Sequence, residues 1–196
     1  MKRTLLFTAI IITATLSCFN LKAQNYLEPD DRFMGRDGSG NLLDEYSNKL
    51  KQYLFPQEWS IGFLSVPSFS GEYGIFLIWN SNGPILVYNR FNGNYWYSRK
   101  SLKEKKIQIT ISSDTIRISK EEAVRLTGIM TDAINKAVKP DGLGRIVFDG
   151  TAYFFMLPDK MAKTTSPEIN TNCYKLVEEF ENLKKLFSDD PFLELS

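Results

Sequence analysis

The 196 residues include no histidine. Imidazole is the usual general base near neutral pH and the commonest metal ligand, so Ser-His-Asp and Cys-His mechanisms and histidine-bound zinc or iron are closed to this chain. Any catalysis has to come from carboxylates, tyrosine, lysine or a thiol. Adjacent acids stand at Asp30-Asp31, Glu121-Glu122, Glu178-Glu179 and Asp189-Asp190, and a glycosidase needs two carboxylates facing one bond. Neighbouring helix positions point about 100° apart, so these pairs read as solvated helix starts, faces and tails. Asp149 is the one acid inside an apolar run, Ile146-Val147-Phe148-Asp149-Gly150. A carboxylate-dependent hydrolase would be built around it; the plainer reading is an aspartate that turns the chain before Gly150.

Metal and nucleotide motifs fail on spacing. Asp37, Ser39 and Asn41 alternate as calcium ligands do, but positions six and twelve of such a loop, where Gly and Glu belong, hold Leu42 and Asn48. Gly35, Gly38 and Gly40 have neither the spacing nor the preceding strand of a dinucleotide fingerprint, and Gly142-Leu143-Gly144 leads into no helix. No cofactor and no metal is expected. Cys173 would be a nucleophile only with a depressed pKa, and it falls on an apolar stripe with Leu176, Val177 and Phe180, so a buried, inert thiol is expected.

The strongest recognition signal is aromatic. Of 26 Phe, Trp and Tyr residues, 13 lie between Tyr53 and Tyr97. An Asn92-Gly93 turn of two residues would put Tyr88, Arg90, Tyr95, Tyr97 and Arg99 on one side of a hairpin and Ile85, Val87, Phe91 and Trp96 on the other. Asn82-Gly83 adds Ile75, Leu77 and Trp79 to the first side. Tyrosine and arginine in that density make up protein-binding hot spots. The competing reading is a sheet with two partly buried faces, whose tyrosines close the rim of a core.

The elements that position these residues follow from period and punctuation. Residues 1–23 read as an export signal: Lys2 and Arg3 precede an apolar stretch from Leu5 to Leu16, and Ala23 ends a short polar segment. That stretch is too short to span a bilayer. Leu16-Ser17-Cys18 also resembles the end of a bacterial lipobox, which would leave a lipid anchor at Cys18. Removal of residues 1–23 would leave 21 basic against 23 acidic residues, a balance that attracts no polyanion, so nucleic acid is not an expected partner. Cys173 would then be the only cysteine, and no internal disulfide could form.

Residues 24–41, rich in Gly, Asp and Pro, read as a flexible lead-in to a single domain over 42–196. A helix is expected over Leu42 to Leu54. A meander follows, with strands at Trp59 to Val66, Tyr73 to Asn80, Ile85 to Phe91, Asn94 to Arg99, Lys106 to Ile111 and Thr115 to Ile118. Ser119 and Glu122 form a capping box for a second helix, with Ala123, Leu126, Met130, Ala133, Ile134 and Ala137 along one face. Arg145 to Leu157 returns to strand, with Asp149-Gly150 as hairpin turn or bulge, and Pro158 to Asn172 reads as a polar loop. A last helix starts near Cys173 and buries Leu176, Val177, Phe180, Leu183 and Phe187. The fold class is therefore α+β: a mainly antiparallel meander sheet with about three amphipathic helices packed on one face.

The function expected from these readings is that of an exported, non-enzymatic protein-interaction domain, in its most concrete form an immunity-type protein that neutralises a toxin acting in the cell envelope. A glycan or small-ligand module using Trp79, Trp96 and neighbouring tyrosines is the alternative, and the hydrolase built on Asp149 is a third.

Overall fold

In the computed structural model, which describes residues 26–30, 42–98, 110–139 and 149–187, the strand-like stretches join one seven-stranded sheet, antiparallel at every pairing. Its strands are β1 (Glu28–Pro29), β2 (Ile61–Pro67), β3 (Tyr73–Asn80), β4 (Gly83–Phe91), β5 (Ile111–Arg117), β6 (Thr151–Met156) and β7 (Met161–Thr165). Their spatial order is β1-β7-β6-β2-β3-β4-β5. Among the described residues three longer helices accompany them, besides a helical turn at residues 95–98: α1 (Leu42–Leu54), α2 (Lys120–Asn135) and α3 (Asn172–Lys185). The α+β class with a mainly antiparallel sheet is what the structure shows.

The helices are divided between the two faces, unlike the expected single layer. Ile61, Phe63, Ile75, Leu77, Leu86, Tyr88 and Phe155 point to one face, where Ala123, Leu126, Met130 and Ile134 of α2 and Cys173, Val177, Phe180 and Leu183 of α3 cover them. Leu64, Phe76, Phe91, Phe154, Met156 and Met161 point to the other, under Leu50 and Leu54 of α1. Burying a side chain of this size contributes about 1.5 to 3 kcal/mol, so both faces are strongly held. The central strands are apolar at successive positions because neither side of them meets water.

Local signals explain where the elements begin. Ser119 accepts a hydrogen bond from the Glu122 amide at 3.1 Å and caps α2; Thr171 accepts one from the Tyr174 amide at 3.1 Å and caps α3. The β3–β4 hairpin closes over Ser81 and Asn82, because Asn80 pairs with Gly83, whose φ of +106° suits only glycine. That register differs by two residues from a turn centred on Asn82-Gly83. A shift of two preserves the faces, so Ile75, Leu77 and Trp79 do share a side with Tyr88 and Arg90.

Four expectations are corrected. Residues 95–98 form a helical turn and not a strand, so β4 pairs with β5: Tyr88 lies opposite Asp114 and Arg90 opposite Ser112. Ser112 to Asp114, expected as a divider, lies inside β5; the expected strand at Lys106 to Ile111 falls outside the described residues as far as residue 109. The polar loop contains β7, reached through the two-residue turn Pro158-Asp159, with Leu157 and Lys160 exchanging backbone hydrogen bonds of 2.8 and 3.3 Å. Residues 26–30 of the expected lead-in are docked: Leu27 is buried, its carbonyl accepts from the Val138 amide at 2.8 Å, and Asp30 meets Lys163 at 2.9 Å.

Gly128 faces solvent in the middle of α2, and a Cβ there would meet nothing within 4 Å. Gly128→Ala is expected to stabilise the fold by about 1 kcal/mol in urea or guanidinium unfolding, the helix-propensity difference with no steric cost.

Candidate functional site

The expected binding residues do not form one surface. Tyr88 is buried beneath the α2 and α3 face, where burial raises its phenol pKa and Arg90 works in the opposite direction. Arg90 is exposed, its guanidinium 5.4 Å from the Tyr88 ring centre and its Nε bonded to Ser112 Oγ at 2.8 Å. Trp79 is exposed beside the β3–β4 turn, at the end of the sheet opposite to residues 95–98. Arg99 lies outside the described residues. Tyr95 and Tyr97 remain together on the helical turn, Tyr95 half-buried and Tyr97 exposed. The expected hairpin is absent because Asn92-Gly93 leads into that turn and not back along β4.

What redirects the chain is a buried carboxylate. Glu72, immediately before β3, is 0% exposed. Its two oxygens accept from Tyr46 Oη at 2.5 Å, the Tyr95 amide at 2.8 Å and the Trp96 amide at 3.3 Å, and its own carbonyl accepts from the Phe91 amide at 3.0 Å. The first two amides of a helical turn have no partner within it, and an acidic side chain is the best acceptor for them. Burial, and next the charge of Glu72, push the Tyr46 phenol far above its ordinary range, so it stays protonated and donating.

Asn94 completes the lock. Its Oδ1 accepts from the Tyr97 amide at 3.0 Å, while its Nδ2 donates to the carbonyls of Pro67, Ser68 and Ser70 at 3.0, 3.3 and 2.9 Å. The loop 68–71 is thereby fastened to the turn 95–98. Gly71 is required at the junction, because a Cβ there would stand 2.5 Å from the Phe91 carbonyl oxygen. On the inner side, Tyr95 stacks on Phe91 with ring centres 5.1 Å apart, and Trp96 meets Tyr46 edge-on at 5.0 Å. On the outer side, Phe69 and Tyr97 stack at 6.1 Å with planes 8° apart, and they stay 70% and 58% exposed. Segments 67–71 and 92–98 contain only Pro, Ser, Phe, Gly, Asn, Tyr and Trp, with no charged residue.

Phe69 and Glu72 were not singled out by sequence reasoning. The signal for Phe69 was available: a large aromatic among Ser, Pro and Gly has no element to bury it. Glu72 gave none, since an acid beside a glycine reads as solvated.

The remaining candidates are accounted for. Asp149 is exposed next to Gly150, which exchanges hydrogen bonds with Ser68, so the burial on which a hydrolase depended is absent. Cys173 is buried as expected, and burial pushes its thiol up to about 11. Tyr73, on the α2 and α3 face, donates to Glu181, and burial followed by that hydrogen bond raises its phenol pKa. Among the described residues no group of three or more Cys, Asp or Glu side chains is placed to hold a metal ion, and no helix is long and apolar enough to cross a membrane. No known protein family, curated protein or solved structure matches this chain.

Glu72→Gln replaces an all-acceptor carboxylate by an amide that cannot satisfy three donors. It is expected to lose about 2 to 4 kcal/mol in equilibrium unfolding. A loss under 1 kcal/mol would show that the network is not what holds the corner.

Proposed function

We propose that the chain is an exported, non-enzymatic recognition domain that binds another protein through the corner formed by segments 67–71 and 92–98. The observation that carries this reading is the pairing of two strongly exposed aromatic rings with two buried polar side chains, Glu72 and Asn94, which fix them. Exposed aromatics normally lower solubility, and a fold that only needed to cover its core would close this corner with polar residues. Here rigid hydrogen bonding holds Phe69 and Tyr97 toward solvent, surrounded by Ser, Asn and Gly. That is the composition of an antibody combining site, where aromatic rings supply contact area at low entropy cost and small polar residues supply adaptable hydrogen bonds.

The export reading of residues 1–23 supports a place outside the cytoplasm, and the near-neutral charge disfavours nucleic acid. An immunity-type role, neutralising an envelope-acting toxin, suits a small exported domain whose rigid surface does the work. A glycan is the second candidate partner. Of the two tryptophans on which that idea relied, Trp79 stands at the other end of the sheet and Trp96 is half-buried against Tyr46, so the protein partner is favoured.

The test separates Tyr97 and Phe69 from Tyr95. The protein, used as bait on envelope extracts, should capture a partner identifiable by mass spectrometry, whose affinity is then measured with purified components. Phe69→Ala with Tyr97→Ala is expected to weaken binding by thirtyfold or more, a hot-spot effect, while the thermal melt stays within a few degrees of the parent. Tyr95→Ala, which opens the inner stack, should lower the melt instead. Unchanged affinity in the double variant would refute the reading.

A further inference from the structure

Between α2 and α3, away from the aromatic corner, lies a groove of about 340 Å³. Its interior is apolar, formed by Leu27, Ile129, Ala133, Cys173 and Leu176, with Tyr26 at the edge. That volume is in the range of small-molecule pockets, which run from about 300 to 1,000 Å³. The helices are tied across its rim by Arg125, which pairs with Glu122 on its own helix and with Glu179 on the other. Asp132 and Lys136 neutralise each other at 2.7 Å.

One rim charge is left over. The Lys175 ammonium makes no hydrogen bond or ion pair among the described residues, and the first turn of α3, which carries it, contains no acid. The Cys173 thiol in the interior is protonated at neutral pH, because burial lifts its pKa to about 11, so it adds no opposing charge. Beside it, the buried Thr164 hydroxyl makes no hydrogen bond of ordinary geometry. A cationic head group would find Asp132 and Glu179 already engaged, whereas an anionic one finds Lys175 and the positive end of a helix.

We infer that this groove binds a small amphipathic carboxylate, an apolar chain lying between the helices with its head group at Lys175. The occupant is distinct from the protein partner of the corner, and none of the residues lining the groove belongs to that corner.

Decanoate is the probe, titrated into the full chain by calorimetry, with decylamine and acetate as controls. Saturable one-site binding of decanoate is expected, at least tenfold tighter than decylamine, with no detectable heat from acetate. Lys175→Gln, at an exposed position that leaves the melt unchanged, should weaken decanoate roughly tenfold through loss of the charged contact. Ala133→Trp, shown to be folded by circular dichroism, should fill the groove and abolish binding. The inference is overturned by any of three results: no saturable decanoate binding, equal affinity for decanoate and decylamine, or Lys175→Gln binding like the parent. It is equally overturned if the chain dimerises and decanoate only dissociates the dimer, since a second copy would then be the occupant.

Discussion

Glu72 is the constraint on which the outer part of this molecule depends. A carboxylate without access to water is tolerated only when its oxygens are satisfied, and here the three donors come from two separate places: the phenol of Tyr46 on α1 and the consecutive amides of Tyr95 and Trp96. That requirement links the helix on one sheet face to the start of β3 and to the segment after β4. Asn94 extends the link to the loop 68–71. Phe69 and Tyr97 then have little freedom of their own, and their exposure is a consequence of the network beneath them.

The parts of the fold that were legible in the sequence are those set by local chemistry. The Leu42–Leu54 helix, the Ser119 cap, the Tyr73–Asn80 strand and the apolar stripe of α3 follow from periodicity, capping and turn residues. Pro158-Asp159 carried the signal for the β6–β7 hairpin, but Lys163, Thr164 and Thr165 made β7 look like loop. Its strand character comes from its place between β1 and β6.

The candidate site was legible by composition and not by geometry. Asn92-Gly93 has the local preference for a hairpin, but the preference is worth less than three amide and phenol hydrogen bonds to a buried acid 20 or so positions upstream, and no window on the sequence contains both. Tyr88 was assigned to an open surface because α2 and α3 had not been placed over that face. Once two helices cover it, the same register that grouped Tyr88 with Leu77 and Ile75 makes it core. Tyr95 and Tyr97, neighbours on a helical turn, were separated into an inner and an outer ring by the same rearrangement.

The most direct measurement of this account is amide hydrogen exchange at Tyr95 and Trp96 in the unaltered protein. If Glu72 holds both amides in a water-excluded bond, they exchange as slowly as the paired amides of β3 and β4, through global unfolding alone. Exchange at the rate of an open surface loop would mean that the turn is not fastened, and the corner would then be no preformed surface at all.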